Sequence, residues 1–384
     1  MRFEFATATR IVFGQGVAAE LPALAKPFGK RAMVVTGKDK IRHAGLINNL
    51  EAAGFTCNLF GVSGEPSVAL VREGAELLRA AGSQLVIAIG GGSAIDAGKA
   101  IAALAANPAD VLDYLEVVGL GKPLPNAPLP FIAVPTTAGT GAEVTRNSVL
   151  GSPEHGVKAS LRSPLMLPAI ALVDPELTFG LPHEITAATG LDALTQLIEP
   201  WVCSRANPFT DALCRDGLTM AARSLPRVCG NLRDTGARTG MAYASLLGGL
   251  ALANAGLGVV HGFAAPIGGL FSAPHGAVCA ALLPYGMATN IQALRQRAPE
   301  SVSLLRYTEI AQILTGHPQA TAEEGAEWVR IFVQQTRIPK LSAYGITASH
   351  LGDLAEKTSR ASSMKANPLP LTEHELAGIL CAAL

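Results

Sequence analysis

The chain has 384 residues, enough for two domains of ordinary size and a large core. Apolar residues make up 49% and charged residues only 16%, with 30 Lys+Arg against 30 Asp+Glu. A net charge of zero argues against nucleic acid or an anionic membrane as the main partner. The 6 cysteines (57, 203, 214, 229, 279, 381) are scattered without a CxxC pair, which predicts reduced thiols in a cytoplasmic protein rather than a disulfide framework or zinc ribbon. The N-terminal "MRFEFATATRIVFG" carries a Glu and no apolar core segment, so no signal peptide is expected.

In chain order, "RAMVVTG" (31–37), "QLVIAIGGG" (84–92), "LPFIAVPTT" (129–137) and "PAIALVDP" (168–175) are short, β-branched and apolar. Helical patterns such as "VALVREGAELLRAAG" (68–82) separate the first three. Alternating strands and helices imply a parallel sheet covered on both faces. Beyond about residue 183 the strand signal disappears, and Ala/Leu-rich helical segments follow to the end, broken by Pro and Gly. "LTEHELAGILCAAL" opens with Thr372 and Glu375 at capping-box spacing. The expected boundary lies near residue 180, between an α/β domain (1–180) and an all-α domain (181–384).

From Thr239 to Leu294 there is no Asp, Glu, Lys or Arg, a length sufficient for two membrane spans. Glycines, Pro266, Pro274, His261 and His275 interrupt it, and Arg238 and Arg295 flank it on both sides. Buried helices of a large domain are the expectation.

Two loops follow predicted strands. In "LVIAIGGGSAIDAGKA" the glycines allow close backbone approach and the helix start favours a phosphate, with Ser93 as expected cap and Asp96 closing the box. In "PTTAGTGAEVT" (135–145), Thr136, Thr137 and Thr140 offer hydroxyls beside flexible glycines. Two such loops at strand ends of one sheet point to a nucleotide.

In the second half, Asp192 and Gln196 share a helical face. Pro266 is expected to bend or end the helix carrying His261, and "SAPHG" to turn into the next, so that His275 swings back toward His261. An Asp and two His make a facial ligand set suited to Zn²⁺ or Fe²⁺. The other histidines (43, 155, 183, 317, 350, 374) lie in polar or loop contexts and read as surface groups.

"GGGSAIDAGKA", "PTTAGTGAEVT", "SPLMLPAIALVDPELT", "GLDALTQLIE", "GLGVVHGFAAPIGG", "APHGAVCAALLP" and "KANPLPLTEHEL" occur in this order over essentially the whole chain. In this the sequence resembles the iron-containing, group III alcohol dehydrogenases. The resemblance implies a Rossmann-like dinucleotide-binding domain followed by an all-helical domain, a fold shared with dehydroquinate synthase, with the active site in the cleft between the two. It implies pyrophosphate contacts at Gly91, Gly92 and Ser93, and adenine, ribose and nicotinamide contacts at Thr136, Thr137 and Thr140. Lys158 resembles a lysine near the nicotinamide ribose, and Asp192, His261 and His275 match three of four metal ligands.

Two positions depart from the family pattern. Gln196 stands where a histidine ligand is usual, leaving an amide oxygen as a weak fourth ligand or a partner for metal-bound water. Ala265 stands where some members have a proton-relaying histidine. After "AMVVT", Gly37 and Lys38 replace the acid with which many NAD-specific relatives bind the ribose 2′-hydroxyl, an arrangement that admits NADP. The implied activity is NAD(P)-dependent alcohol dehydrogenation or aldehyde reduction with a divalent metal, Fe²⁺ or Zn²⁺, on a small substrate, in a cytoplasmic protein that pairs as a homodimer. Rival readings are a glycerol-dehydrogenase-like zinc enzyme, a metal-independent maleylacetate-type reductase, a dehydroquinate-synthase-like lyase and a non-catalytic nucleotide binder. Leu252, Phe263 and Phe271 are apolar candidates for narrowing the substrate pocket or for core packing.

Overall fold

Apolar runs of the first half form a six-stranded, wholly parallel sheet in the computed structural model, which describes residues 2–384. Its strands are β1 (Arg10–Phe13), β2 (Arg31–Gly37), β3 (Thr56–Val62), β4 (Leu85–Gly90), β5 (Phe131–Pro135) and β8 (Ile170–Val173), in the order β1-β8-β5-β4-β2-β3. An antiparallel hairpin, β6 (Asn147–Ser152) and β7 (Val157–Arg162), stands apart from it. The helices of this unit are α1 (Leu21–Ala25), α2 (Ala44–Ala52), α3 (Val68–Ala80), α4 (Gly92–Ala106) and α5 (Val111–Tyr114). Successive residues of one strand feed two different cores: Met33, Val35, Val86 and Ala88 pack on one face, Val34, Ile87 and Ile89 on the other. That is the signature of a parallel sheet buried on both faces. In α3, buried Val68, Val71, Ala75 and Leu78 follow the helical period behind the Ser67 cap.

The four apolar runs of the sequence correspond to β2, β4, β5 and β8, whereas β1, β3 and the hairpin fall outside them. β1 is four residues at a sheet edge, with no fully buried side chain, and β3 carries Asn58 and Gly61 and is buried only at Phe60 and Val62. Neither carries the continuous apolar run of a central strand.

The chain separates into two compact units. One comprises Ala6–Thr137 and Gly141–Phe179; the other comprises residues 2–5, Ala138–Thr140 and Gly180–Leu384. Within the second, α6 (His183–Val202), α7 (Pro208–Gly230), α8 (Thr235–Asn254), α9 (Val259–Leu270) and α10 (His275–Arg297) precede α11 (Val302–Thr315), α12 (Ala322–Gln335), α13 (Leu351–Ser359) and α14 (Glu373–Ala383). Every residue of α6 from Gly190 to Val202 is buried, and the helix packs against α7, α8 and α10. The uncharged stretch becomes the last part of α8, α9 and most of α10. Although α10 is long and apolar enough to cross a membrane, 78% of the qualifying window is buried within the protein, and α8 and α9 meet at 93°. The expected box of Thr372 and Glu375 caps α14.

Candidate functional site

Three helices of the second unit converge on a buried carboxylate. Asp192, on α6, is 1% exposed. His261 comes from the first turn of α9 and His275 is the first residue of α10. The close approach of α10 has a cause in Gly276: a Cβ there would stand 2.8 Å from the carbonyl oxygen of Ala188, one turn before Asp192 on α6. Asp192 Oδ1 lies 3.5 Å from His261 Nε2 and 3.6 Å from His275 Nε2, and the two imidazole centroids are 5.5 Å apart. His275 therefore does swing back. Of the two outcomes expected at Pro266, a bend or an end, the end does not occur: α9 runs through it to Leu270. A proline in the interior deletes one N–H from the ladder, and bonding resumes beyond it, with the Phe271 N–H donating to Ile267.

A fourth group completes the cluster. Cys279, one turn along α10, places its Sγ 3.6 Å from His275 Nε2. Ligand atoms of Asp192, His261, His275 and Cys279 all lie within 4.8 Å of one another. Sequence reasoning left this cysteine among the scattered thiols. Its signal was the four-residue step from His275, the same rule that paired Asp192 with Gln196.

Glu199, also overlooked, is seven residues beyond Asp192 on α6 and buried. Its Oε2 accepts from His261 Nδ1 and its Oε1 from the Val260 N–H, both at 2.7 Å. In the neutral ring, a proton on Nδ1 donated to Glu199 turns the Nε2 lone pair toward Asp192. Asn367, in the C-terminal "KANPLPL", accepts from the Val259 N–H at 3.1 Å and exchanges hydrogen bonds with Asn290, bracing the start of α9.

Asp192 Oδ1, His261 Nε2 and Gln196 Oε1 are buried without a hydrogen-bond partner. Orphaned buried acceptors cost stability, and such groups are rare in native proteins. A divalent cation answers Asp192 Oδ1 and His261 Nε2, which lie 3.5 Å apart, so the residues present fit a metal. Burial alone would raise the pKa of Asp192, but the imidazoles of His275 and His261 outweigh it and hold the carboxyl below its usual range. For His261, burial is likewise outweighed by Cys279, Asp192 and Glu199, which raise its pKa well above the ordinary imidazole value. Phe263 is wholly buried and belongs to the core, whereas Leu252 and Phe271 are half-buried, Phe271 edge-on to His350. Ala265 is exposed and brings nothing to the cluster. None of the remaining six histidines is buried.

In the sheet unit, Gly37, Gly90 and Pro135 end adjacent strands, and their loops follow side by side. The strand order reverses between β4 and β2, and carboxyl ends of strands at such a switch point are where open α/β sheets take ligands. The Thr136 N–H donates to the Gly90 carbonyl at 2.9 Å, and a Cβ on Gly91 would meet Thr137 at 3.4 Å. Ser93 does not cap α4: Gly91 is the N-cap, no side chain caps it, and Asp96 instead accepts from the Val149 N–H. The helix starts too early for a serine cap; the Ala94 N–H donates to the Gly91 carbonyl, and no side chain takes the amides of Gly92 and Ser93, which stay available to an anion. Thr140 groups with the helical unit, where Gly139 lies against Thr189. Lys158, on β7, has a side chain only 8% exposed, and its Nζ pairs at 2.5 Å with Glu65, just beyond β3. Lys38 is exposed, and Asp39, the acid next to it, accepts from the Ile41 N–H of its own loop.

Comparison with known proteins agrees along the whole chain. The family model for iron-containing alcohol dehydrogenase matches residues 8–175, and that for the C-terminal region of the Fe-containing alcohol dehydrogenase family matches residues 186–384. The chain is 35% identical over 374 residues to alcohol dehydrogenase 4 of Saccharomyces cerevisiae, covering 96% of this chain and 95% of the relative. Among solved structures, alcohol dehydrogenase from Oenococcus oeni superposes with a TM-score of 0.91 at 30% identity, covering 100% of both chains. Sulfoacetaldehyde reductase from Bifidobacterium kashiwanohense, solved in complex with NAD+, gives 0.87 at 29% identity, covering 100% of this chain and 99% of that one.

Proposed function

The chain belongs to the iron-containing alcohol dehydrogenase family and is an oxidoreductase of alcohols and aldehydes, and we propose that it moves hydride between NAD(P) and a small substrate beside a divalent metal. The observation that carries this reading is the pair of buried, unpartnered atoms Asp192 Oδ1 and His261 Nε2, with His275 Nε2 beside them. Asp192, His261 and His275 are the proposed ligands. A divalent ion held there supplies a Lewis acid for the substrate oxygen. Nicotinamide supplies the hydride chemistry, and the protein contributes binding and orientation. Glu199 fixes the ring of His261 through Nδ1, and the Asn367–Asn290 pair holds the helix end from which His261 projects. A metal-independent reductase would leave the Asp192 and His261 atoms buried to no purpose.

The dinucleotide is assigned to the sheet unit: pyrophosphate to the first turn of α4 at Gly91, Gly92 and Ser93, and the neighbouring hydroxyls of Thr136 and Thr137, with Thr140, to ribose, adenine and nicotinamide. Lys158, held by Glu65, is the candidate ribose contact. Gly37 offers no carboxylate to repel a 2′-phosphate, Asp39 is engaged within its own loop, and Lys38 is exposed, so NADPH is expected to serve at least as well as NADH. Ala265 has no proton to give, which leaves proton exchange to water and the ribose hydroxyls. All six cysteines are free, in keeping with a reducing, cytoplasmic setting.

Initial rates of NADPH and NADH oxidation with short aldehydes, before and after chelation, test the proposal. Steady consumption that chelation abolishes and added Zn²⁺ or Fe²⁺ restores is expected. Cofactor binding without consumption, or turnover indifferent to chelators, would overturn it.

A further inference from the structure

We propose that Cys279 is a metal ligand, so that the ion is held by one carboxylate, two imidazoles and a thiolate rather than by Gln196 as fourth donor. The inference rests on the metal reading above and concerns which side chains of this chain bind the ion.

Distances carry it. Ligand atoms about 2.0–2.3 Å from a tetrahedral ion stand about 3.3–3.6 Å from one another. The three pairs around the cluster are 3.5 Å (Asp192–His261), 3.6 Å (Asp192–His275) and 3.6 Å (His275–Cys279). An ordinary hydrogen-bonded core thiol would explain only the last of these. It would leave Asp192 Oδ1 and His261 Nε2 without partners.

Charge points the same way. A Cys279 thiolate puts a second negative charge directly on the ion beside that of Asp192, whereas the amide of Gln196 adds none. A coordinating thiol is deprotonated by the metal itself, and the proton leaves to solvent. Sulfur is a soft donor, so the set favours Zn²⁺ or Co²⁺ over Fe²⁺, and the substrate oxygen would enter as a fifth ligand.

Cobalt is the probe. Chelator-stripped full-length protein is titrated with Co²⁺ and its spectrum recorded. The expected result is a near-ultraviolet thiolate-to-cobalt charge-transfer band together with visible ligand-field bands. In Cys279→Ala the near-ultraviolet band is lost while visible bands persist, and cobalt binds more than about a hundredfold more weakly, beyond the loss typical of an outer-shell partner. Should that variant fail to fold, X-ray absorption of the zinc-loaded wild type decides, with one sulfur expected at about 2.3 Å. Cobalt binding without the near-ultraviolet band, a band that survives in Cys279→Ala, or an absence of sulfur scattering overturns the assignment of Cys279 while leaving the metal reading intact. A wild-type chain that binds no cobalt overturns both.

Discussion

Lys99 and Asp192 are both charged, each is 1% exposed, and their surroundings are opposites. On α4, Lys99 Nζ donates to the carbonyls of Ala142, Thr145 and Asn147 at 2.8–2.9 Å and reaches Thr145 Oγ1 at 3.0 Å, so every proton it carries has an acceptor. On α6, Asp192 Oδ1 and the facing His261 Nε2 have none. A buried charge that is satisfied by its own chain is scaffold: Lys99 ties the helix after the glycine loop to the segment after the threonine loop. A buried charge left unsatisfied, braced from behind by Glu199 and Asn367, is arranged for something brought from outside.

Substitutions at the two places should separate function from folding. The largest effect is expected from Asp192→Ala: kcat/KM falls at least about a thousandfold, the several kcal/mol a metal contributes, and bound metal drops to trace while unfolding stays cooperative. Retained metal with retained turnover would erase the distinction between the clusters. Lys99→Met should do the reverse. Three carbonyls lose their donor, so stability falls by roughly 3 kcal/mol or more in urea, with metal content per folded chain unchanged. A stable Lys99→Met would mean that the lysine is not scaffold.

The smallest effect concerns Glu143, close to Lys99. Burial pushes its carboxyl up to about 7 against the opposing influence of Lys99, while burial lowers Lys99 to about 8. Folded chain thus holds a proton on Glu143 from its ordinary 4.5 up to about 7, where unfolded chain has released it. This group's contribution is fully present below pH 4.5 and is lost as the pH rises through about 7. Glu143→Gln lacks that dependence, so its stability relative to wild type should improve between pH 4.5 and 7 by up to about 3 kcal/mol. Parallel denaturation profiles across this window would count against it.

What was legible in the sequence follows from how local each signal is. β2, β4, β5 and β8 lie inside the sheet, and burial on both faces writes itself as uninterrupted apolar runs. The edge strands β1 and β3 and the hairpin bury less and leave a weaker trace. Asp192 and Gln196 could be paired because the helical repeat brings them together, and the same repeat held His275 and Cys279. Its meaning emerged only when Gly276 let α10 close on α6. Glu199 with His261, and Glu65 with Lys158, are pairings across 62 and 93 residues that no spacing rule reaches. Ser93 misled because the local rule for caps yielded to a helix that starts earlier, and α9 does not end at Pro266 because it tolerates a missing bond.

Calorimetric titration of Zn²⁺ into chelator-stripped wild type and Asp192→Ala decides whether the Asp192 cluster holds a divalent ion. One saturable site per wild-type chain and none in the variant is the expected result. Absence of saturable binding in wild type, or the same binding in both, would contradict it.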